Sequence, residues 1–259
     1  MILRPLEAAE TVAGKKAQPR PAWSIVEASQ SKGYGECWLV PQPAHAALAG
    51  EIAAQLTEEV YPERQDAITR AIAMHDAGWG QPDAEQIQRL QAKATEPPQS
   101  FLQAPLQVVI AAWEGSIRAA DKLGPEAGSI VGRHFSAIGD AQIQGKTRVD
   151  AATLLKFMEQ ERNHELRRMK KVAAKAEMVS RWLEALQFCD LLSLYLCCGG
   201  RGPAEFTVGG RRVTLHARSE EEFELLPTVL GGEKVFQVAA LRHPRGKVGA
   251  SRAVRFQLR

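Results

Sequence analysis

The chain has 259 residues, of which 45% are hydrophobic and 24% charged, with a net charge of +3. That balance suits a globular protein with a substantial core. No stretch reaches the ~18 uninterrupted apolar residues that a membrane span needs, since the best candidate, LQFCDLLSLYLCC, is broken by Asp190. Four cysteines (Cys37, Cys189, Cys197, Cys198) without a C-x-x-C pair argue against a disulfide framework or a thiolate zinc site. MILRPLEAAE also lacks the basic start and apolar run of a signal peptide, so a reducing cytoplasm is the expected setting.

In chain order, two short strands are predicted at Ile2–Arg4 and Cys37–Val40, separated by a Pro- and Gly-containing loop over 5–36. From His45 the apolar residues Leu48, Ala49, Ile52, Ala53 and Leu56 follow the i, i+3, i+4, i+7 spacing of a buried helix face, with His45 on it. A second helix should start near Arg64, carry Ile68, Ala71, Ile72 and His75 on one stripe, and end at Gly78 and Gly80. Short helix and loop are expected over 81–104, then helices over 105–121 and 126–138. Residues 150–198 read as helix almost throughout, charged in the first half and apolar in the second. After Gly199–Gly200 the period becomes two. EFTV-GG-RRVTLHA predicts a hairpin about Gly209–Gly210, and further strands are expected near 234–241 and 252–258. The expected architecture is therefore mainly α: a helical bundle over 1–200 with short N-terminal strands, and a small β-rich appendage over 201–259 packed on it.

An adjacent His-Asp pair is a weak signal, since chance supplies one in about six chains of this composition. The setting of His75–Asp76 strengthens it. His75 lies on an apolar stripe, and Asp76 precedes the break at Ala77–Gly78–Trp79. Asp190 is more telling. Val179, Trp182, Leu183, Leu186, Asp190, Ser193 and Cys197 keep helical spacing, which buries the carboxylate; it must be protonated, paired or bound to a metal. His45 and His134, the latter behind Ile130 and Val131, also fall on apolar faces, where a histidine is either a satisfied core residue or a ligand. His164, in QERNHELRRMKK, reads as a solvated face, and His216 and His243 as surface or hairpin residues. Imidazole and carboxylate together suit a divalent ion such as Mn, Fe, Zn, Co or Mg rather than calcium.

The order H…HD…D on successive helices resembles the HD superfamily of metal-dependent phosphohydrolases. PQPAHAALAGEIAAQL, AIAMHDAGW, SIVGRHFSAI and LQFCDLLSLYLC resemble more closely an uncharacterised bacterial family of HD-like pattern, over roughly residues 37–200. The resemblance implies His45, His75, Asp76 and Asp190 as metal ligands and His134 as a second-metal ligand or substrate-facing base. The chain departs from that pattern at Ala44, where an acidic residue is expected, at Gly132, where serine is expected, and in its longer N-terminal region. IRAADKLG offers Asp121 as a rival last ligand. Asp190 is preferred because apolar residues surround it, whereas Asp121 adjoins Lys122 near a helix end.

The function implied is hydrolysis of a phosphate ester or nucleotide. His134, Asp76 and Arg133 are the candidate catalytic residues, and Arg133 or Lys122 would neutralise phosphate on a small anionic substrate. The alternatives are a di-iron oxygenase, for which His164 is the spare histidine, and a non-catalytic metal-stabilised module. Residues 199–259 carry +5 of the net charge, which would favour a nucleic-acid partner, although no aromatic residues interleave those charges in a stacking pattern.

Overall fold

The computed structural model describes residues 1–5, 37–93, 96–143, 146–200, 203–243 and 251–259. The loop expected over 5–36 lies, apart from residue 5, outside them. The N-terminal strands are β1 (Ile2–Pro5) and β2 (Cys37–Val40). The helices are α1 (Gln42–Ala53), α2 (Asp66–Ala73), α3 (Gly80–Ala92), α4 (Leu106–Asp121), α5 (Pro125–Ile143), α6 (Arg148–Met169) and α7 (Ala176–Cys197). Five strands follow: β3 (Ala204–Val208), β4 (Arg211–Ala217), β5 (Glu222–Leu226), β6 (Lys234–His243) and β7 (Ser251–Leu258).

These strands overturn the expected fold class. All seven join one mixed sheet in the order β1-β2-β6-β7-β5-β4-β3, a half-barrel rather than a minor appendage to a helical bundle. Only the β5–β7 pairing is parallel among the described residues. The N-terminal strands cross to the C-terminal ones through β2, whose Cys37, Trp38 and Leu39 pair with His243, Arg242 and Leu241 of β6. Such pairing is invisible to local periodicity, because a four-residue strand shows only two alternations. The hairpin at Gly209–Gly210 is as expected: φ angles of +60° and +71° are those of a primed turn whose twist matches its strands. Strand β5 was not expected; its alternation Phe223 and Leu225 follows the acidic run Glu220–Glu222.

Helix α7 runs through the middle of the molecule. Val179, Trp182, Leu186, Phe188, Cys189, Leu192 and Leu196 are all buried, covering about half of its circumference, where it packs against α1, α5 and the sheet. Arg4 of β1 donates to the Leu196 carbonyl near its C-terminus and lies 5.4 Å from the centre of the Phe256 ring of β7. One side chain thus ties helix end to sheet. The β1–β2 end of the sheet is covered on its other side too, where Leu3, Leu39 and Leu241 pack with Ile87 and Leu90 of α3.

Two helix boundaries depart from expectation. Residues 150–198 form two helices, α6 and α7, with the connection held by a bond from Ala173 N–H to Glu126 Oε1 (2.9 Å). Helix α2 ends at Ala73, before His75, and Gly80 opens α3 rather than closing α2. Between them Gly78 presses on α4: a Cβ there would sit 1.9 Å from the Ala112 carbonyl oxygen, and its N–H donates to Ser116 Oγ (3.0 Å). The glycine in HDAGW is thus a packing requirement. Close approach also joins α1 to α2, because a Cβ on Gly50 would meet the Ala73 Cβ at 2.3 Å.

Candidate metal centre

Four elements bring His45 (α1), His75 and Asp76 (the turn after α2), His134 (α5) and Asp190 (α7) to one buried point. Each histidine is 4% exposed or less, Asp76 6% and Asp190 9%. His45 Nε2 lies 2.9 Å from Asp76 Oδ2 and 3.6 Å from Asp190 Oδ1. His75 Nε2 lies 3.1 Å from Asp190 Oδ1 and 3.8 Å from Asp76 Oδ2. His134 Nε2 lies 3.6 Å from Asp190 Oδ2. The His75 ring stands nearly perpendicular to both others, with centroids 5.2 Å from His45 and 5.6 Å from His134.

The outer nitrogens fix which inner nitrogens carry lone pairs. His75 Nδ1 is 2.8 Å from the Ile72 carbonyl oxygen at the end of α2, which also accepts from the His75 backbone N–H (3.4 Å). A carbonyl only accepts, so Nδ1 carries a proton, and the neutral ring presents a bare Nε2 to Asp190. His45 Nδ1 is 2.9 Å from Ser193 Oγ, whose hydroxyl is 2.9 Å from the Asp190 carbonyl oxygen. A bare imidazole nitrogen facing a carboxylate oxygen at hydrogen-bond distance is repulsive unless a proton or a cation lies between them.

Without a metal that cation is a proton. Burial pulls the His75 pKa down, but the charges of Asp76 and Asp190 and the bonds to Asp190 and Ile72 outweigh it and raise the value to about 9. For Asp190 burial favours the neutral acid, yet the bond and charge of His75, with His134 and His45, drive it well below the usual carboxylate range. His134 goes the other way: burial dominates and lowers it to about 4, Asp190 only partly opposing. Its Nδ1 is buried without a hydrogen-bond partner among the described residues.

The ligand atoms of His45, His75 and Asp76, and those of His75, His134 and Asp190, lie within 4.8 Å of one another, so either group could hold a metal ion. The donor set fits: the Nε2 atoms of His45 and His75, each with an outer partner at Nδ1 and facing carboxylates, are arranged as ligands of a borderline divalent ion.

The five ligand candidates thus come together; the other candidates do not join them. Arg133 points to α6, where Nε donates to Glu165 Oε1 (2.6 Å). Asp121 is bound by Arg168 through both carboxylate oxygens, at 2.6 and 3.0 Å, and Lys122 is exposed. Gly132 has its own reason to lack the expected serine side chain: a Cβ there would meet Glu161 Oε1, the other partner of Arg168, at 2.0 Å. His164 is exposed beside Glu161, at 3.7 Å. His243, expected at the surface, is buried at the β2–β6 pairing, and burial lowers its pKa. Ser193 was placed on the Asp190 stripe without a role; its spacing of three from Asp190 was the available signal.

A family model described as "Protein of unknown function (DUF3891)" matches residues 29–240, and the chain belongs to that family. No curated protein and no solved structure matches the chain.

Proposed function

We propose that the chain is a metal-dependent phosphohydrolase of HD-like kind, acting on a phosphate ester or nucleotide. The observation that supports it best is His75. Its Nδ1 proton is committed to the Ile72 carbonyl, so its Nε2 lone pair is aimed at Asp190 in a site with a second carboxylate and two more imidazoles. Nε2 of His45 and His75 and the carboxylates of Asp76 and Asp190 would hold one divalent ion, of the Mn, Fe, Zn, Co or Mg group. Bound there, it would polarise a phosphoryl oxygen and lower the pKa of water. The chain's own residues do the rest. His45 and His75 present oriented lone pairs, and Asp76 and Asp190 supply charge that favours a cation. His134, kept neutral by burial and with Nδ1 unpartnered, is left to exchange a proton or a hydrogen bond with substrate.

One ion is the better reading than two, because His75 has a single lone pair to give and both candidate groups draw on it. That weighs against a di-iron oxygenase, as does the exposed position of His164. Arg133 would reach a phosphate only by releasing Glu165. The basic C-terminal charge gives little support to nucleic-acid binding: Arg211, Arg218, Arg252 and Arg259 each pair with a glutamate. No helix among the described residues is long and apolar enough to cross a membrane.

The test is elemental analysis of protein purified without added metal, followed by phosphate release from a panel of nucleotides and phosphomonoesters. One equivalent of metal with turnover that a chelator abolishes is expected. Full metal loading without turnover on any substrate would refute the hydrolase, and failure to take up any metal would refute the site.

A further inference from the structure

The geometry points to Ser193 as the positioning residue that sets His45 for metal ligation, through the chain His45 Nδ1–H to Ser193 Oγ–H to the Asp190 carbonyl. This rests on the metal-centre reading above and adds a residue outside the ligand set.

His45 differs from His75 in how its outer nitrogen is held. The partner of His75 is a carbonyl, which only accepts, so that ring has one neutral form. The partner of His45 is a hydroxyl, which both accepts and donates. The hydroxyl allows two arrangements, one suited to an ion beside Nε2 and one to the metal-free centre. In one, Oγ–H points at the Asp190 carbonyl oxygen (2.9 Å) and Oγ accepts from His45 Nδ1–H (2.9 Å), leaving Nε2 bare. In the other, Oγ–H turns to Nδ1, and Nε2–H donates to Asp76 Oδ2 (2.9 Å). Only the first can bind an ion at Nε2. Rotation of one hydroxyl therefore lets the tautomer of His45 follow occupancy of the centre.

The placement of Ser193 makes this specific. It is wholly buried, so water does not substitute for its hydroxyl, and it lies three residues after Asp190 on α7. One helix thus delivers both a ligand and the group that orients a ligand from α1. A serine bonding the carbonyl three residues back is common in helices; here the same oxygen also holds an imidazole from a different helix.

The experiment compares wild type, Ser193→Ala and Ser193→Thr. Zinc affinity is measured by competition with a chromophoric chelator, and the His45 tautomer by imidazole nitrogen chemical shifts in zinc-loaded and chelator-treated protein. Ser193→Ala is expected to weaken zinc about 10- to 100-fold, the range for losing an outer partner of a ligating histidine, while far-UV circular dichroism is unchanged. Ser193→Thr, which keeps the hydroxyl, should recover most of the affinity. In wild type the Nδ1–H form should dominate with zinc and the Nε2–H form should appear without it. Equal affinity in Ser193→Ala and wild type would overturn the role of Ser193, as would a His45 tautomer indifferent to zinc. If wild type takes up no zinc, the metal reading fails and with it the role of Ser193 in ligation, whereas zinc uptake with equal affinity in Ser193→Ala overturns the role of Ser193 alone. Should Ser193→Ala fail to fold, failure of the threonine variant to retain wild-type affinity would overturn it.

Discussion

Helix α5 lies between two clusters of charged residues, one reaching the surface at Asp121 and the other buried, that differ in how their carboxylates are paired. On one side Arg168 binds Asp121 and Glu161, and Arg133 binds Glu165, so fixed guanidinium groups answer the carboxylates. On the other side the bonds of Asp76 and Asp190 run to histidines, whose charge is conditional. Every carboxylate of the first cluster has its cation in place, although Glu165 Oε2 accepts no hydrogen bond among the described residues. The second is complete only with a proton or an ion, and this difference distinguishes a structural ion-pair network from a candidate binding site. Small residues on α5 make room for the network: Gly128 and Gly132 each lack a Cβ that would strike its members.

The largest effect expected is from breaking the arginine cluster. Arg168→Met leaves the buried Glu161 and the half-exposed Asp121 without their cation, at a cost of about 3 kcal/mol, roughly 10 °C in Tm. The loss should be the same with and without metal, as read by thermal unfolding; a metal-dependent loss would mean the two clusters are coupled. The histidine cluster should respond to an added divalent cation. A divalent ion at a hundred times its Kd should stabilise the wild type by about 2.7 kcal/mol. His75→Ala should abolish that gain with little change in the metal-free protein's circular dichroism. A similar gain in His75→Ala would place the ion elsewhere. Gly132→Ala should cost about 2 kcal/mol, because the added methyl must displace Glu161 from Arg168; a neutral result in urea unfolding would show that the network yields cheaply.

The same contrast marks what was legible in the sequence. His45, His75, His134 and Asp190 were readable because each is a polar residue on an apolar stripe of helical spacing, a local signal with a thermodynamic cost, and Asp76 because it adjoins His75. Arg133 and Asp121 were misleading because their neighbours in sequence lie near the centre or resemble a ligand motif, while their partners, Glu165 and Arg168, come from 32 and 47 residues away. The sheet was underestimated for a related reason. The hairpin about Gly209–Gly210 is written in adjacent residues, whereas pairing of β2 with β6 depends on Cys37 meeting His243 across the length of the chain. The departure at Gly132 became explicable only with Glu161 in view.

The pH dependence is the most discriminating test, because it changes sign. In metal-free protein His75 titrates at about 9 against 6.5 unfolded, so its contribution is complete below pH 6.5 and is lost as pH rises through 9. His134 titrates at about 4, so the unfolded chain binds more protons between 4 and 6.5, and stability falls as pH drops through that range. Asp190, held below its ordinary value, adds a loss only in stronger acid. Metal-free protein should therefore be most stable near pH 6.5 and weaken on both sides. Metal reverses the alkaline limb. A proton on His75 Nε2 competes with the ion, so binding strengthens as pH rises, and with subsaturating zinc stability should increase from pH 6.5 to 9. Denaturant midpoints across that range, with zinc and with chelator, measure both slopes. Parallel slopes would mean that zinc does not compete for the His75 nitrogen, and the centre would then be an imidazolium–carboxylate cluster rather than a metal site.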